Sequence, residues 1–377
     1  MPVRRQWDAD VVVVGAGIVG LAHALEAVRR GLSVTVVERD ERALGASVRN
    51  FGHCFVTAQA GESLELALES RARWLELGAD AGFAVRECGT VLVARRAEEL
   101  AVVHEFVESR SHVAEVLTAG EVRARVPVAA DRLLGGLWTP LDCRLDAREA
   151  LPAIARWLEQ ENDVTFLWRT AAHGADTGTV WTSRGDVRAE AIVLAAGHDL
   201  DRLVPDAELD RCTLQMLRVS APDGRTIEPA LMTGLSLLRY RAFARCPSAP
   251  ALQARLAEER PELLEAGVNL IVAQRPDGDL VVGDTHTYAV DASPFRSEAF
   301  DRLVLDEAAA LLGSGPLAVR ERWLGVYAHA PDRELLVTSP APGVRGVAVT
   351  AGIGMTIGLG LGARVLDELH GRRPVTI

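Results

Sequence analysis

The sequence of 377 residues is long enough to form two domains, and its net charge of −11 offers no basis for binding nucleic acid or an anionic membrane. All 41 basic residues are arginines, which excludes a Schiff base on lysine and a P-loop lysine. The five cysteines form no CxxC pair, so the sequence indicates neither a disulfide framework nor a metal site. Because no signal peptide precedes the first predicted strand and no apolar run reaches membrane-spanning length, we expect a cytoplasmic protein.

The first predicted elements are a buried strand at 11–14, the glycine-rich turn GAGIVG, a helix and a second strand. Gly15 permits a tight turn, Gly17 the close approach of a pyrophosphate to the backbone, and Gly20 close packing of the helix on the strand. The second strand ends in Glu38, which is placed to accept hydrogen bonds from ribose hydroxyls. This order predicts a dinucleotide-binding site, and the alternative is a glycine-rich turn that binds no ligand.

Helices and short strands follow, and from 211 to 322 the pattern changes to strands, loops and two helices. Helices are predicted at 61–81, 97–109, 119–126, 147–160 (N-capped by Asp146), 297–312 and 352–369. Strands are predicted at 33–37, 88–94, 133–138, 164–167, 179–182, 191–197 and 346–350, with a hairpin at 270–283 that turns at Pro276-Asp277-Gly278.

The predicted elements favour an α/β protein in which two domains are interleaved along the chain. We expect a Rossmann-like dinucleotide-binding domain and a discontinuous α+β substrate domain with a mainly antiparallel sheet. The first domain is predicted at 1–57, 140–210 and 325–377, and the second at 58–139 and 211–324.

Three separated signals favour FAD over NAD as the dinucleotide. The glycine-rich turn lies at the N-terminus, and the strand ending in Ala195-Ala196-Gly197 has small residues where the middle of a dinucleotide can pass. The third signal is the segment 350–356, a strand end followed by a helix that begins with glycines and offers unpaired N–H groups to a flavin ring. The alternative for this segment is that its glycines only pack a helix tightly on the sheet.

These segments, with Glu38 and Gly45-Ala46-Ser47, resemble the D-amino-acid-oxidase-like flavoproteins, the family of glycine oxidase and monomeric sarcosine oxidase. The resemblance implies FAD at the carboxyl ends of the nucleotide-domain strands and substrate between the flavin and the second sheet. It implies noncovalent FAD, because no cysteine lies near the C-terminal segment where sarcosine oxidase attaches its flavin. The expected FAD contacts are Gly15, Gly17, Ile18, Gly20, Glu38, Arg39, Ala46, Ser47, Arg49, Asn50, Gly52, Ala172, Ala196, Gly197, Gly354, Met355 and Thr356.

Two short strings, SVRNFG at 47–52 and ERWLGVY at 321–327, resemble a branch of this family that is associated with the breakdown of aminophosphonates. Relatives carry a carboxylate-binding arginine shortly after W-x-G, and Tyr327 stands about there in this chain. Val282 occupies the position of the oxygen-activating lysine of sarcosine oxidase, so an oxidase and a dehydrogenase both stay open.

The candidates for contact with substrate are His286, His53, Tyr327, His329 and Arg241. Arg241 belongs to the run Arg239-Tyr240-Arg241, which is suited to bind a phosphonate in place of the missing arginine. The alternative for each is core packing or, for the run, a solvated surface. The other histidines are expected at structural or surface positions, namely His23, His104, His112, His173, His198 and His370.

The expected activity is oxidation of the C–N bond of a small anionic amine, either an N-alkyl aminophosphonate or an amino acid. The imine then hydrolyses, and O2 or another acceptor reoxidises the flavin. One alternative is an FAD-dependent dehydrogenase of a hydroxy acid or a polyol phosphate, with His286 or His53 as the base. A second alternative is a flavin-binding subunit without turnover.

Overall fold

The computed structural model describes residues 7–110 and 113–369. His112, His370 and the outermost parts of the predicted segments 1–57 and 325–377 lie outside the described residues.

The described strands are, in chain order, β1 (Val11–Val14), β2 (Val34–Val37), β3 (His53–Cys54), β4 (Val85–Arg86), β5 (Thr90–Ala94), β6 (Glu115–Thr118), β7 (Gly135–Thr139), β8 (Cys143–Leu145), β9 (Thr165–Leu167), β10 (Ala172–Asp176), β11 (Thr179–Thr182), β12 (Gly185–Arg188), β13 (Ala191–Leu194), β14 (Asp210–Val219), β15 (Ala230–Thr233), β16 (Ile271–Gln274), β17 (Leu280–Gly283), β18 (Thr287–Ala289), β19 (Val319–His329), β20 (Leu335–Thr338) and β21 (Val344–Val349).

The described helices are α1 (Ile18–Arg29), α2 (Glu62–Ala81), α3 (Ala97–Arg110), α4 (Ala119–Arg125), α5 (Ala147–Glu161), α6 (Arg241–Ala244), α7 (Ala249–Glu259), α8 (Pro261–Glu265), α9 (Glu298–Leu312) and α10 (Gly354–Leu369). Within 7–110 and 113–369, none of these helices has both the length and the apolar composition needed to cross a membrane.

A six-stranded sheet in the order β20-β21-β13-β1-β2-β9 carries the glycine-rich turn. Its strands are parallel except β20, and the valines of β1 are fully buried between the layers that cover both faces. Runs such as VVVV in β1 and AIVL in β13 form this sheet because a parallel strand covered on both faces must be apolar throughout. The sheet is the Rossmann-like part of the fold.

A nine-stranded sheet in the order β18-β14-β17-β16-β15-β5-β7-β6, with β19 also paired to β14, forms the second layer of strands. All its pairs are antiparallel except β5 with β15. The two sheets together confirm the predicted fold class, a Rossmann-like domain beside a mainly antiparallel sheet.

The segment 211–322 differs from the prediction of two helices. Within the described residues it contains α6, α7, α8 and α9. Pro250 lies in the first turn of α7 and Pro261 begins α8. A proline fits the first turn of a helix, but in a sequence it is equally typical of the end of a helix. The sequence pattern therefore does not predict these short helices.

Helix α2 lies inside the predicted substrate segment 58–139 but packs with the parallel sheet. The indole Nε1 of Trp74 donates a hydrogen bond to the carbonyl of Met355 at 2.8 Å, and Ser70 Oγ accepts one from the N–H of Gly360 at 2.8 Å. Trp74 is fully buried in the same apolar cluster as the strands β1 and β2. We therefore propose that the chain divides into the two domains as predicted from the sequence, except that α2 belongs to the dinucleotide-binding domain.

Candidate active site

An elongated cavity of about 550 Å³ lies where the two sheets meet. Its lining includes the carboxyl ends of β1 and β2, the residues that follow β13, the start of α10, and side chains of β14, β16 and β19. Every expected FAD contact except Gly20 and Gly52 lies in this lining, and so do all five predicted substrate contacts, His53, Arg241, His286, Tyr327 and His329.

Gly20 and Gly52 lie outside the cavity lining and act through close backbone packing instead. A Cβ at Gly20 would overlap the carbonyl oxygen of Gly15, and a Cβ at Gly52 would overlap that of Leu145. The packing role predicted for Gly20 agrees with this position. Gly52, expected to contact the cofactor, has a positive φ of 65°, which glycine adopts without strain.

The carboxylate of Glu38 is buried at the end of β2 and holds the glycine-rich turn. One of its oxygens accepts the N–H of Ala16 at 2.8 Å, and the other accepts the N–H of Asp40 at 3.0 Å. Each carboxylate oxygen accepts more than one hydrogen bond, so Glu38 retains capacity for ribose hydroxyls. That contact stays a prediction.

The segment 45–52 is fixed against the start of α1 by side-chain hydrogen bonds. Ser47 Oγ accepts the N–H of Ile18 at 2.9 Å. The amide of Asn50 donates to two backbone carbonyls of its own turn and accepts the N–H of Gly52 at 2.7 Å. Arg49 donates to a backbone carbonyl of β19 at 3.2 Å. The segment thus spans the gap between the two sheets and lines the cavity on the way.

The residues present fit FAD. A Cβ at Gly17 would lie 3.1 Å from Ser47 Oγ, so a larger side chain would fill the narrow space beside the first turn of α1. The starts of α1 and α10 both line the cavity, and the start of a helix carries unpaired N–H groups and the positive end of the helix dipole. Such a cavity suits a ligand with a diphosphate near one helix and an electron-rich ring near the other.

Arg39 lies at the cavity beside Asp199, with which it forms an ion pair at 2.6 Å, and half of its side chain is exposed. In the part of the chain that the structure describes, no three side chains are arranged to hold a metal ion.

A parallel sheet with a GxGxxG turn and an antiparallel sheet, with one cavity between them, form an arrangement suited to a dinucleotide-dependent oxidoreductase. The chain belongs to the FAD dependent oxidoreductase family, whose model matches residues 10–368. FAD is therefore its cofactor, and the predicted family is confirmed.

A bifunctional protein ThiO/ThiG of Synechocystis sp. is 26% identical over 348 residues, which cover 87% of this chain and 46% of that protein. The chain spans about half the length of the first curated relatives it matches. The crystal structure of glycine oxidase from Geobacillus kaustophilus superposes with a TM-score of 0.79 at 20% identity, over 98% of this chain and 96% of the other. FAD-bound L-alpha-glycerophosphate oxidase from Mycoplasma pneumoniae superposes with a TM-score of 0.76 at 19% identity, over 96% and 95%. At such identities the likeness shows the fold alone.

Arg239 is the central polar residue of the cavity beyond the expected FAD contacts. Its Nη2 donates a hydrogen bond to the hydroxyl of Tyr327 at 2.6 Å, and its Nε donates to Nε2 of His286 at 3.2 Å. Nδ1 of His286 lies 2.9 Å from the carbonyl oxygen of Gly267 and donates to it. The imidazole therefore carries its proton on Nδ1 and accepts with Nε2.

Both partners of Arg239 are neutral near pH 7. Burial and, to a smaller extent, the charge of Arg239 together lower the pKa of His286 to about 3. Burial raises the pKa of the Tyr327 hydroxyl well above its usual value. The ring of Tyr327 fits against the start of α10 because Gly352 has no side chain, and a Cβ there would lie 3.1 Å from Tyr327 Cζ. The guanidinium charge is thus not compensated by its hydrogen-bond partners.

The structure also places His53 and His329 in the cavity lining. Nε2 of His53 lies 2.8 Å from Thr90 Oγ1, its ring stacks on Phe55, and burial lowers its pKa to about 3. The ring centroid of His329 lies 4.3 Å from that of Tyr288, and burial lowers its pKa.

Arg241 lines the cavity, and its contact with substrate stays a prediction. It forms an ion pair with Glu334 at 3.2 Å, and 46% of its side chain is exposed. Its charge already has an acidic partner at the cavity edge. The neighbouring Arg239, which the sequence analysis named only as a member of the run, is the better-placed cation.

Sequence analysis missed Asp284, which lines the cavity directly after β17. Its side chain is buried, and burial raises the pKa of its carboxyl to about 7. The signal available in the sequence was its position between a buried strand and His286. An acidic residue that directly follows a continuous apolar strand is a candidate for a buried position.

Proposed function

We propose that this protein uses FAD to oxidise the C–N bond of a small amine that carries an anionic group. The observation that carries the proposal is the guanidinium of Arg239, which lines the cavity while its hydrogen bonds go to the neutral groups of Tyr327 and His286. A partly buried charge whose hydrogen-bond partners are neutral is costly, and a bound anion lowers that cost.

FAD supplies the two-electron acceptance when it is bound. We assign the diphosphate and adenosine side to residues of the glycine-rich turn, Glu38 and the segment 45–50, and the flavin side to the start of α10. We propose that the residues predicted from the sequence to contact FAD do so wherever they line the cavity.

The chain's own residues bind and orient the substrate. The planar fork of Arg239 is matched to a phosphonate or a carboxylate, and Tyr327 limits its movement by accepting one of its N–H groups. His53 and His286 stay neutral, so they add no charge that would compete for the anion. Neither imidazole is poised as a strong base, which suits a neutral amine, because the nitrogen lone pair supports loss of hydride from the adjacent carbon without removal of an N–H proton, whereas an alcohol must give its hydroxyl proton to a base.

An N-alkyl aminophosphonate is the proposed substrate class, and an amino acid is the alternative. The resemblance of 47–52 and 321–327 to the aminophosphonate branch supports the first. The name of the glycine oxidase relatives supports the second. From the sequence we also propose that O2 or another acceptor reoxidises the flavin. We propose a cytoplasmic location on the same basis.

The test compares Arg239→Gln with Arg241→Gln on 2-(methylamino)ethylphosphonate and sarcosine, read by peroxide release and by dye reduction. We expect Arg239→Gln to lower kcat/KM by about tenfold to a hundredfold, mainly through KM, because a charge-assisted pair is lost. Arg241→Gln should have the smaller effect, since its partner is Glu334.

Arg239→Lys, which keeps the charge but not the fork, should fall between the wild type and Arg239→Gln. Flavin content confirms that each variant is folded. Oxidation of 2-hydroxyethylphosphonate or glycerol 3-phosphate, with no activity on either amine, would contradict the proposal and favour an alcohol dehydrogenase.

A further inference from the structure

A second charged group faces the same part of the cavity as Arg239. Asp284 is 4% exposed, and its Oδ1 is buried without a hydrogen-bond partner within residues 7–110 and 113–369. A buried carboxylate oxygen normally has a donor, and leaving one unpaired costs more than a hydrogen bond gains. Oδ1 therefore lacks a donor among the described residues, whereas the carboxyl as a whole has a hydrogen bond from the side-chain amide of Asn269.

The backbone around Asp284 holds the carboxyl in place. The N–H of Asp284 donates to the carbonyl of Asn269 at 2.9 Å, and the N–H of Asn269 donates to the carbonyl of Asp284 at 2.9 Å. This reciprocal pair lies just beyond Ile271 and Gly283, the last paired residues of β16 and β17, and is out of register with them by one residue. It fixes the backbone from which the carboxyl of Asp284 extends at the cavity wall.

Apart from Arg239, the groups that face Asp284 are neutral. Nδ1 of His286 is 3.7 Å from Oδ1 but gives its proton to Gly267, and burial keeps this imidazole neutral. Tyr240 and the thiol of Cys212 are neutral, because burial raises the pKa of each to about 12. Arg239 is the cation of the group, and it lowers the pKa of Asp284 against the larger effect of burial.

We propose that Asp284 binds the cationic nitrogen of the substrate, while Arg239 binds its anionic group. The inference rests on the proposed function and narrows it to zwitterions. An ammonium N–H gives the orphaned Oδ1 its donor and neutralises the carboxylate at the same time. Above about pH 7, where Asp284 is ionised, two charges of opposite sign in one cavity select molecules that carry both, and they disfavour neutral amines and simple anions.

Binding without turnover separates this role from catalysis. Holoenzyme reduced with dithionite under anaerobic conditions cannot accept electrons from a ligand, so isothermal titration calorimetry measures affinity alone. The probes are two matched pairs in which a CH2 replaces the NH: 2-(methylamino)ethylphosphonate with butylphosphonate, and sarcosine with butyrate. The protein variants are the wild type and Asp284→Asn, which keeps the shape of the side chain and removes its charge.

We expect the wild type to bind the amine of at least one pair about tenfold or more tightly than its carbon analogue. In Asp284→Asn the preference should fall to within about twofold, through weaker binding of the amine. Should Asp284→Asn lose its flavin, Asp284→Glu, which displaces the charge, is expected to reduce the preference in the same direction. If the preference survives a folded variant of Asp284, the inference is wrong while the proposed function stands. If the wild type binds neither pair, the proposed function itself fails.

Discussion

Arg239, His286 and Tyr327 show how burial decides which side chains of the cavity carry charge. Removal from water disfavours the charged form of an imidazole and of a phenol, so both stay neutral, whereas a guanidinium keeps its proton. The neutral partners orient Arg239 without cancelling its charge. The result is a cation held at a fixed place and free for an anionic ligand.

Asp284 makes stability depend on pH in a direction that can be measured. Burial raises its pKa from 3.8 to about 7, so between about pH 4 and pH 7 the folded protein keeps a proton that the unfolded chain has released. The free energy of unfolding therefore falls as pH rises through this window. In Asp284→Asn the part of this decrease that is due to Asp284 is absent. The buried histidines His23, His53 and His286 act in the opposite direction, but both proteins share them.

We predict that the melting temperature of Asp284→Asn, minus that of the wild type, increases by several degrees between pH 4 and pH 7 and is constant above that range. Thermal unfolding of ligand-free holoenzyme, followed by circular dichroism at equal flavin content, provides the measurement. A difference that does not change with pH would show that Asp284 titrates at an ordinary pKa.

At the scale of elements, the packing of α1 on α10 brings the two helix starts to the same cavity. A Cβ at Gly362 would lie 2.6 Å from the carbonyl oxygen of Ala22, so the two backbones are in direct contact there. One turn earlier, a Cβ at Gly358 would meet side-chain atoms, those of Ile18 at 3.6 Å and of Val19 at 3.9 Å. The same substitution at these two glycines therefore tests the spacing of the helices.

Gly362→Ala should destabilise the protein by about 1–3 kcal/mol and weaken FAD binding, because α1 must move away from α10. Gly358→Ala should be neutral or stabilising by up to about 1 kcal/mol, since alanine favours a helix interior and meets ordinary contacts. Urea unfolding and FAD titration of the apoprotein measure both effects. Equal stability of the two variants would refute the close contact at Gly362.

The strands of the parallel sheet could be predicted from the sequence because each is a short, continuous apolar run, which is typical of a strand buried on both faces. The strand predicted at 191–197 ends at Leu194, since Gly197 adopts a φ of +61° and the chain turns along the cavity. The long strands β14 and β19 carry charged residues such as Arg218 and Glu321, which form an ion pair at 2.7 Å across the sheet. Such a pattern becomes visible only when the partner strand is known.

At the scale of the whole molecule, motifs of the sequence led to the residues proposed to contact FAD, but not to Arg239 and Asp284, which we propose to contact the substrate. The cofactor residues follow local motifs, a glycine turn and two helix starts, so their spacing along the chain carries the information. Arg239 and Asp284 come from different segments and meet only through the folding of the nine-stranded sheet. No local pattern separates Arg239 from Arg241, whose different surroundings depend on Glu334.

The proposed function requires a cavity that places an anionic amine, rather than an alcohol, beside FAD. Anaerobic mixing of the purified holoenzyme with 2-(methylamino)ethylphosphonate, sarcosine and their hydroxyl counterparts, 2-hydroxyethylphosphonate and glycolate, tests this most directly. We predict that at least one amine bleaches the visible absorption of oxidised flavin and that neither alcohol does. Bleaching by an alcohol alone, or by none of the four, would contradict the account.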